Sequence, residues 1–170
     1  MIRNRRAVAR DREAVAAVAA DLAGASFFEG FTADELERVA ELGYEVVAEE
    51  GALVIDQGRV GTECFVILKG QAGVYVGGEH IATLGPGSMV GEMALVEHRP
   101  RNASVVAESM LRMIQFDTRA FKRLLEEMPK AHDRVIALLL ARMRRADEAP
   151  GEAAAEVGDA AAGAADASPG

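Results

Sequence analysis

The chain has 170 residues, half of them apolar, which suits one domain with a real hydrophobic core and some appendage. Its net charge of −8 argues against a general nucleic-acid binder. No run of about 18 apolar residues is present to span a bilayer and no secretory leader is visible, so the chain reads as cytoplasmic.

Arg3, Arg5, Arg6, Arg10 and Arg12 crowd the N-terminus, with Asp11, Glu13 and Asp21 interspersed. Val8, Val15, Val18 and Leu22 recur at helical spacing over 7–23, which predicts an amphipathic helix with its charges on a solvated face. Residues 1–24 are assigned to this helical lead-in. Ser26-Phe27-Phe28-Glu29-Gly30-Phe31 reads as a tight connector whose aromatics enter the core. Thr32 with Glu35 is a capping box for a helix ending near Leu42, stopped by Gly43.

From Tyr44 to Phe116 the period changes. Short runs rich in β-formers, at Glu45–Ala48, Ala52–Asp56, Cys64–Leu68, Val74–Val76, Ile81–Leu84, Ala103–Ala107 and Leu111–Phe116, alternate with glycines. This pattern predicts a mainly β fold, an antiparallel roll or jelly roll flanked by helices. Gly77-Gly78 is a two-residue hairpin signal. Thr118 is the expected cap of a helix running to about Met128, which Pro129 breaks. A second helix from Lys130 carries Val135, Leu138, Leu139 and Met143 on one stripe. The domain is expected over 25–149, followed by an Ala/Gly/acidic tail at 150–170 whose composition predicts disorder.

Catalytic constellations are not apparent. Cys64 lies in an apolar strand and reads as a buried thiol. His80, His98 and His132 show no metal-ligand spacing, so no metal is expected, and Ser104 has no base nearby in sequence. The most informative segment is Gly91-Glu92-Met93-Ala94-Leu95, followed by Pro100-Arg101-Asn102-Ala103-Ser104-Val105. A short helix start offers backbone N–H groups to an anion, and Arg101 can add a charge-assisted bond worth about 1.5–3 kcal/mol. Glu92 is an acceptor suited to a sugar hydroxyl. An anion site beside a hydroxyl acceptor describes a pocket for a small sugar phosphate.

These motifs resemble the phosphate-binding cassette of the cyclic nucleotide-binding domain family, which includes the sensor domains of the bacterial catabolite activator and the protein kinase A regulatory subunit. The resemblance runs from about Ala25 to Met143. It implies that Glu92 accepts from the ribose 2′-hydroxyl, that the N–H groups of Met93, Ala94 and Leu95 face the cyclic phosphate, and that Arg101 neutralises it. Gly91 would permit close approach, Asn102 and Ala103 would complete the cassette, and Val74, Ile81, Ala82 and Val90 would form an apolar wall. Two positions depart from the family. Asn102 stands where Ala, Ser or Thr is common. Ala146-Asp147 stand where the catabolite activator places hydroxyls over the adenine, which leaves Arg142 and Arg144 as candidate base contacts.

The resemblance implies a non-enzymatic sensor whose ligand is cAMP ahead of cGMP and which needs no other cofactor; nothing after Met143 has the periodicity, turn or basic face of a helix-turn-helix, so it is expected to stand alone. Its output would pass to an unidentified protein partner through the flanking helices. The last helix could pair in a homodimer or fold back on its own domain. The alternative reading is a β-roll interaction module that no longer binds nucleotide; the Glu92–Arg101 pair at family spacing favours the sensor.

Overall fold

The computed structural model describes residues 2–8 and 11–148, with the side chains at 2–6, 93, 96, 142 and 145–148 outside that description. The elements follow as β1 (Ile2–Ala7), α1 (Arg12–Leu22), a 3-10 turn (Ser26–Phe28), α2 (Ala33–Leu42), β2 (Tyr44–Ala48), β3 (Leu53–Ile55), β4 (Glu63–Lys69) and β5 (Ala72–Val76). The chain continues through β6 (Glu79–Leu84), β7 (Met89–Val90), α3 (Glu92–Glu97), β8 (Ser104–Ala107), β9 (Leu111–Asp117), α4 (Thr118–Glu127) and α5 (Pro129–Glu148). The strands form two antiparallel sheets, ordered β1-β2-β9-β4-β7 and β3-β8-β5-β6. This is the expected β-roll with flanking helices.

The two central strands of the larger sheet explain where the core lies. β4 is buried without a break from Cys64 to Leu68, as strands covered on both faces are. Successive side chains point to opposite faces. Cys64, Val66 and Leu68 therefore join a helical core with Leu22, Phe28 and Leu124, whereas Phe65 and Ile67 face the interior of the roll. β9 divides in the same way, with Ile114 and Phe116 on the helical side and Leu111 and Met113 inside. The smaller sheet has one buried face, and β8 alternates accordingly.

The helices pack as an outer layer. Thr32 and Glu35 form the expected capping box of α2, and Phe27, Phe28 and Phe31 meet edge to face beneath it. The root of α5 is tied to the 3-10 turn. Arg134 donates to the carbonyls of Ser26 and Glu29, and Lys130 donates to the carbonyl of Gly30 and the carboxylate of Glu35. The hairpin at Gly77-Gly78 forms with both φ angles positive, 58° and 83°.

Four expectations are corrected. Residues 2–7 form a strand rather than the start of a helix, because β2 otherwise presents an unpaired edge; Ile2 pairs with Ala48 and Ala7 with Tyr44. The helix begins only at Arg12, capped by the Asp11 carboxylate. Asp117, not Thr118, caps α4, its carboxylate accepting from the Ala120 N–H. The last-helix stripe divides: Val135 is buried and Leu138 and Leu139 lean on the helical core, but Met143 is 65% exposed, beside exposed Ile136 and Leu140. The tail expected at 150–170 lies outside the described residues. Among the described residues no helix is long and apolar enough to cross a membrane.

Candidate functional site

Three pieces of chain converge at the mouth of the roll: the loop 58–61, the start of α3, and the segment leading into β8. Gly91 ends β7 and caps α3 with φ +86°, a conformation that glycine adopts without steric cost. A Cβ there would also lie 2.5 Å from Nη1 of Arg101. At the far end of α3, His98 takes a left-handed conformation and turns the chain towards Pro100.

Arg101 is held twice. Its backbone N–H donates to the Arg59 carbonyl at 2.7 Å, its own carbonyl accepts from Gly58 at 2.8 Å, and Val60 bridges Pro100. Its side chain turns inward and is only 5% exposed. Nη1 donates to the Gly91 carbonyl at 2.8 Å, and Nη2 donates to the Glu63 carbonyl. Burial pushes the guanidinium below its ordinary value, while the nearby Glu63, Cys64 and Glu92 push it back up. A guanidinium stays charged at neutral pH in proteins. Burial likewise pushes the Cys64 thiol well up, with Glu92 adding to the effect, so the cysteine is a neutral packing group. Glu92 is completely buried at the first position of α3.

The structure brings most of the expected residues together. Gly91, Glu92 and Arg101 are buried side by side, Ala94 is half-buried, Asn102 is half-buried, and Ala103 lies in the roll core. The side chain of Leu95 enters the helical core and anchors α3 from behind. The side chain at Met93 is outside the described residues, while its backbone lies in the first turn of α3. Of the expected wall, Val74 and Val90 are fully buried and Ala82 packs against them.

Ile81 is not part of that wall and is 40% exposed. Val74 pairs with Ala82 and Tyr75 with His80, so Ile81 is the extra residue of a β-bulge. Arg144 is exposed on α5, whose main packing is with α4 and the 3-10 turn. No described contact brings it to Glu92 or Arg101. The side chain at Arg142 is outside the described residues.

The loop 58–61, which holds the Arg101 backbone, is not among the expected site residues. Gln57 adds to it: its N–H donates to the Ser104 hydroxyl, and its side-chain oxygen accepts from Gly77, tying the β5–β6 hairpin to β8. Ser104 of the motif is thus a structural brace. His80 meets both Thr83 and Glu108 through the same ring nitrogen, Nε2, which is no proton relay. Among the described residues no acidic, histidine and cysteine cluster could hold a metal. An open cleft of about 260 Å³ between α2 and α4 contains neither Glu92 nor Arg101. Its Arg38 and Arg123 already pair with Glu127.

Residues 45–128 match the family model of the cyclic nucleotide-binding domain. Over 90 residues the chain is 37% identical to the cAMP-dependent protein kinase regulatory subunit of Schizosaccharomyces pombe, covering 52% of this chain and 22% of that protein. Over 108 residues it is 34% identical to the Pycsar effector protein XpPycTIR of Xanthomonas perforans, covering 63% and 36%. The catabolite activator protein of Thermus thermophilus aligns with a TM-score of 0.66 and 26% identity, over 71% of this chain and 59% of that one. The chain therefore spans only a fraction of the length of the curated relatives it matches.

Proposed function

The chain belongs to the cyclic nucleotide-binding domain family through residues 45–128, and from that premise we propose that it binds a cyclic nucleotide, cAMP ahead of cGMP. Binding domains of this regulatory type are sensors and not catalysts. The observation that carries the proposal is the burial of Arg101 and Glu92 on either side of Gly91. Enclosing a cation costs desolvation energy unless a partner compensates, and such arrangements gather at functional sites. A cyclic phosphate seated at the first turn of α3 adds an anion to the carboxylates of Glu63 and Glu92 that already favour the charged Arg101, and Glu92 accepts from the ribose 2′-hydroxyl.

The output passes to a protein partner through the flanking helices. Leu95 links α3 to the helical core that also holds Val135 of α5, so a shift of α3 reaches the last helix. The exposed face of α5, with Ile136, Leu140 and Met143, is the surface for that partner or for a second copy.

Calorimetric titration with cAMP and cGMP, with Arg101→Ala as control, tests the proposal. Saturable micromolar binding, equivalent to about 8 kcal/mol, is expected for the wild type and lost in the variant. A folded wild-type protein that binds neither nucleotide would sink the sensor and leave the roll as an interaction module.

A further inference from the structure

We propose that Gly61 is a positioning residue of this site: its missing side chain is the seat of the Arg101 guanidinium and sets the gap between Arg101 and the first turn of α3. The inference rests on the cyclic nucleotide reading for its consequence in binding, but the seat itself is a feature of the protein alone.

Many glycines of this chain are required by the backbone. Gly51, Gly58, Gly77 and Gly78 have positive φ, and a Cβ on any of them would meet nothing within 4 Å. Gly61 is the reverse case. It is absent from the positive-φ glycines, so an alanine could adopt its backbone without strain. Its requirement is space: a Cβ would lie 2.6 Å from Cζ and 2.7 Å from Nε of Arg101, and 2.8 Å from Cβ of Ala94. These distances fall well inside the roughly 3.5–4.0 Å of an ordinary carbon contact. One neighbour is the arm that neutralises the anion, and the other belongs to the helix turn that would face it.

The same loop holds the rest of Arg101. Gly58 and Arg59 bond its backbone, and the Glu63 carbonyl, two residues beyond Gly61, takes its Nη2. Gly61 thus completes a cradle that fixes the residue at both ends. A guanidinium is the far end of a long side chain, so a methyl group at position 61 would displace it, and press on Ala94, rather than unfold the loop. Binding should therefore suffer more than folding.

The test is a double-mutant cycle on the full chain, with Gly61→Ala and Arg101→Ala made singly and together. Without ligand, Gly61→Ala should lower the melting temperature in the wild-type background and cost distinctly less when Arg101→Ala has emptied the seat. The Ala94 contact is common to both backgrounds and cancels. With cAMP as the probe, Gly61→Ala should remain folded and lose about tenfold or more in affinity. Equal thermal costs in the two backgrounds, or a cAMP affinity within about twofold of wild type, would overturn the proposal. A wild-type protein that binds no cAMP would overturn the proposed function instead, and the thermal cycle would still decide the seat.

Discussion

The two faces of the five-stranded sheet support different kinds of core. On the helical side Phe27, Phe28, Phe31, Phe116 and Phe121 dominate, with Leu22 and Leu124 filling between them. Inside the roll the residues are mostly smaller: Ala48, Ala52, Ala72, Val74, Val90, Ala103 and Val105, with Phe65 the one aromatic of that cluster. Large rings lock the helices to the sheet, while small side chains leave room at the mouth of the roll for charged groups. The cassette stands in both. Val90 and Ala103 are rooted in the roll, and Leu95 is rooted among the helices. Under the proposed function, a ligand that moves α3 works against both cores at once, the route by which binding inside the roll would be felt at α5.

The sharpest way to break this comparison is to remove an aromatic from the helical side. Phe28 is 1% exposed and stacks edge to face with both Phe27 and Phe31. Phe28→Ala should cost about 3–5 kcal/mol in urea denaturation, through lost burial and the cavity left behind. A cost below about 1 kcal/mol would mean that the helical layer is not a cooperative core.

A smaller effect separates the two arms of the site. Glu92→Gln keeps an acceptor oxygen but removes its charge. Under the proposed role, affinity for cAMP should fall about tenfold, the difference between a charge-assisted and a neutral hydrogen bond. Discrimination against 2′-deoxy-cAMP should shrink with it. If the variant loses affinity for both compounds while keeping their ratio, Glu92 supports the fold of α3 and does not touch the sugar.

Much of this was legible in the sequence because it depends on local chemistry. The Thr32–Glu35 capping box, the Gly77-Gly78 hairpin and the Glu92–Arg101 spacing are each encoded within a few residues of themselves. What escaped depends on contacts distant along the chain. β1 exists because β2 offers an edge, and the arginines of that segment give no β signal. Ile81 leaves the wall because a bulge shifts the β5–β6 register by one residue, which alternation alone does not reveal. Gly61 looks like its neighbour Gly58 in sequence, yet one is there for its dihedral angle and the other for space. Met143 left the inward stripe because α5 buries that stripe only as far as the 3-10 turn and α4 reach.

The smallest effect sharpens the comparison from outside both cores. Arg38 on α2 grips Glu127 at the end of α4 through Nε at 2.9 Å and Nη2 at 3.0 Å. The hydrogen bonds from Arg38 hold the Glu127 carboxyl below its ordinary 4.5, with Arg123 adding to the effect. A depressed carboxyl contributes stability that is present above the unfolded value and is lost as pH falls through the folded one. Both side chains are about a third exposed, so screening by water limits the pair to about 0.5 kcal/mol. Arg38→Ala should therefore be slightly less stable than wild type at pH 7. The gap should close as the pH drops below 4.5 and through the depressed value. Urea midpoints of the two proteins across that range test it. A gap that persists in acid would mean that Arg38 acts through packing of its stem between α2 and α4, not through its charge.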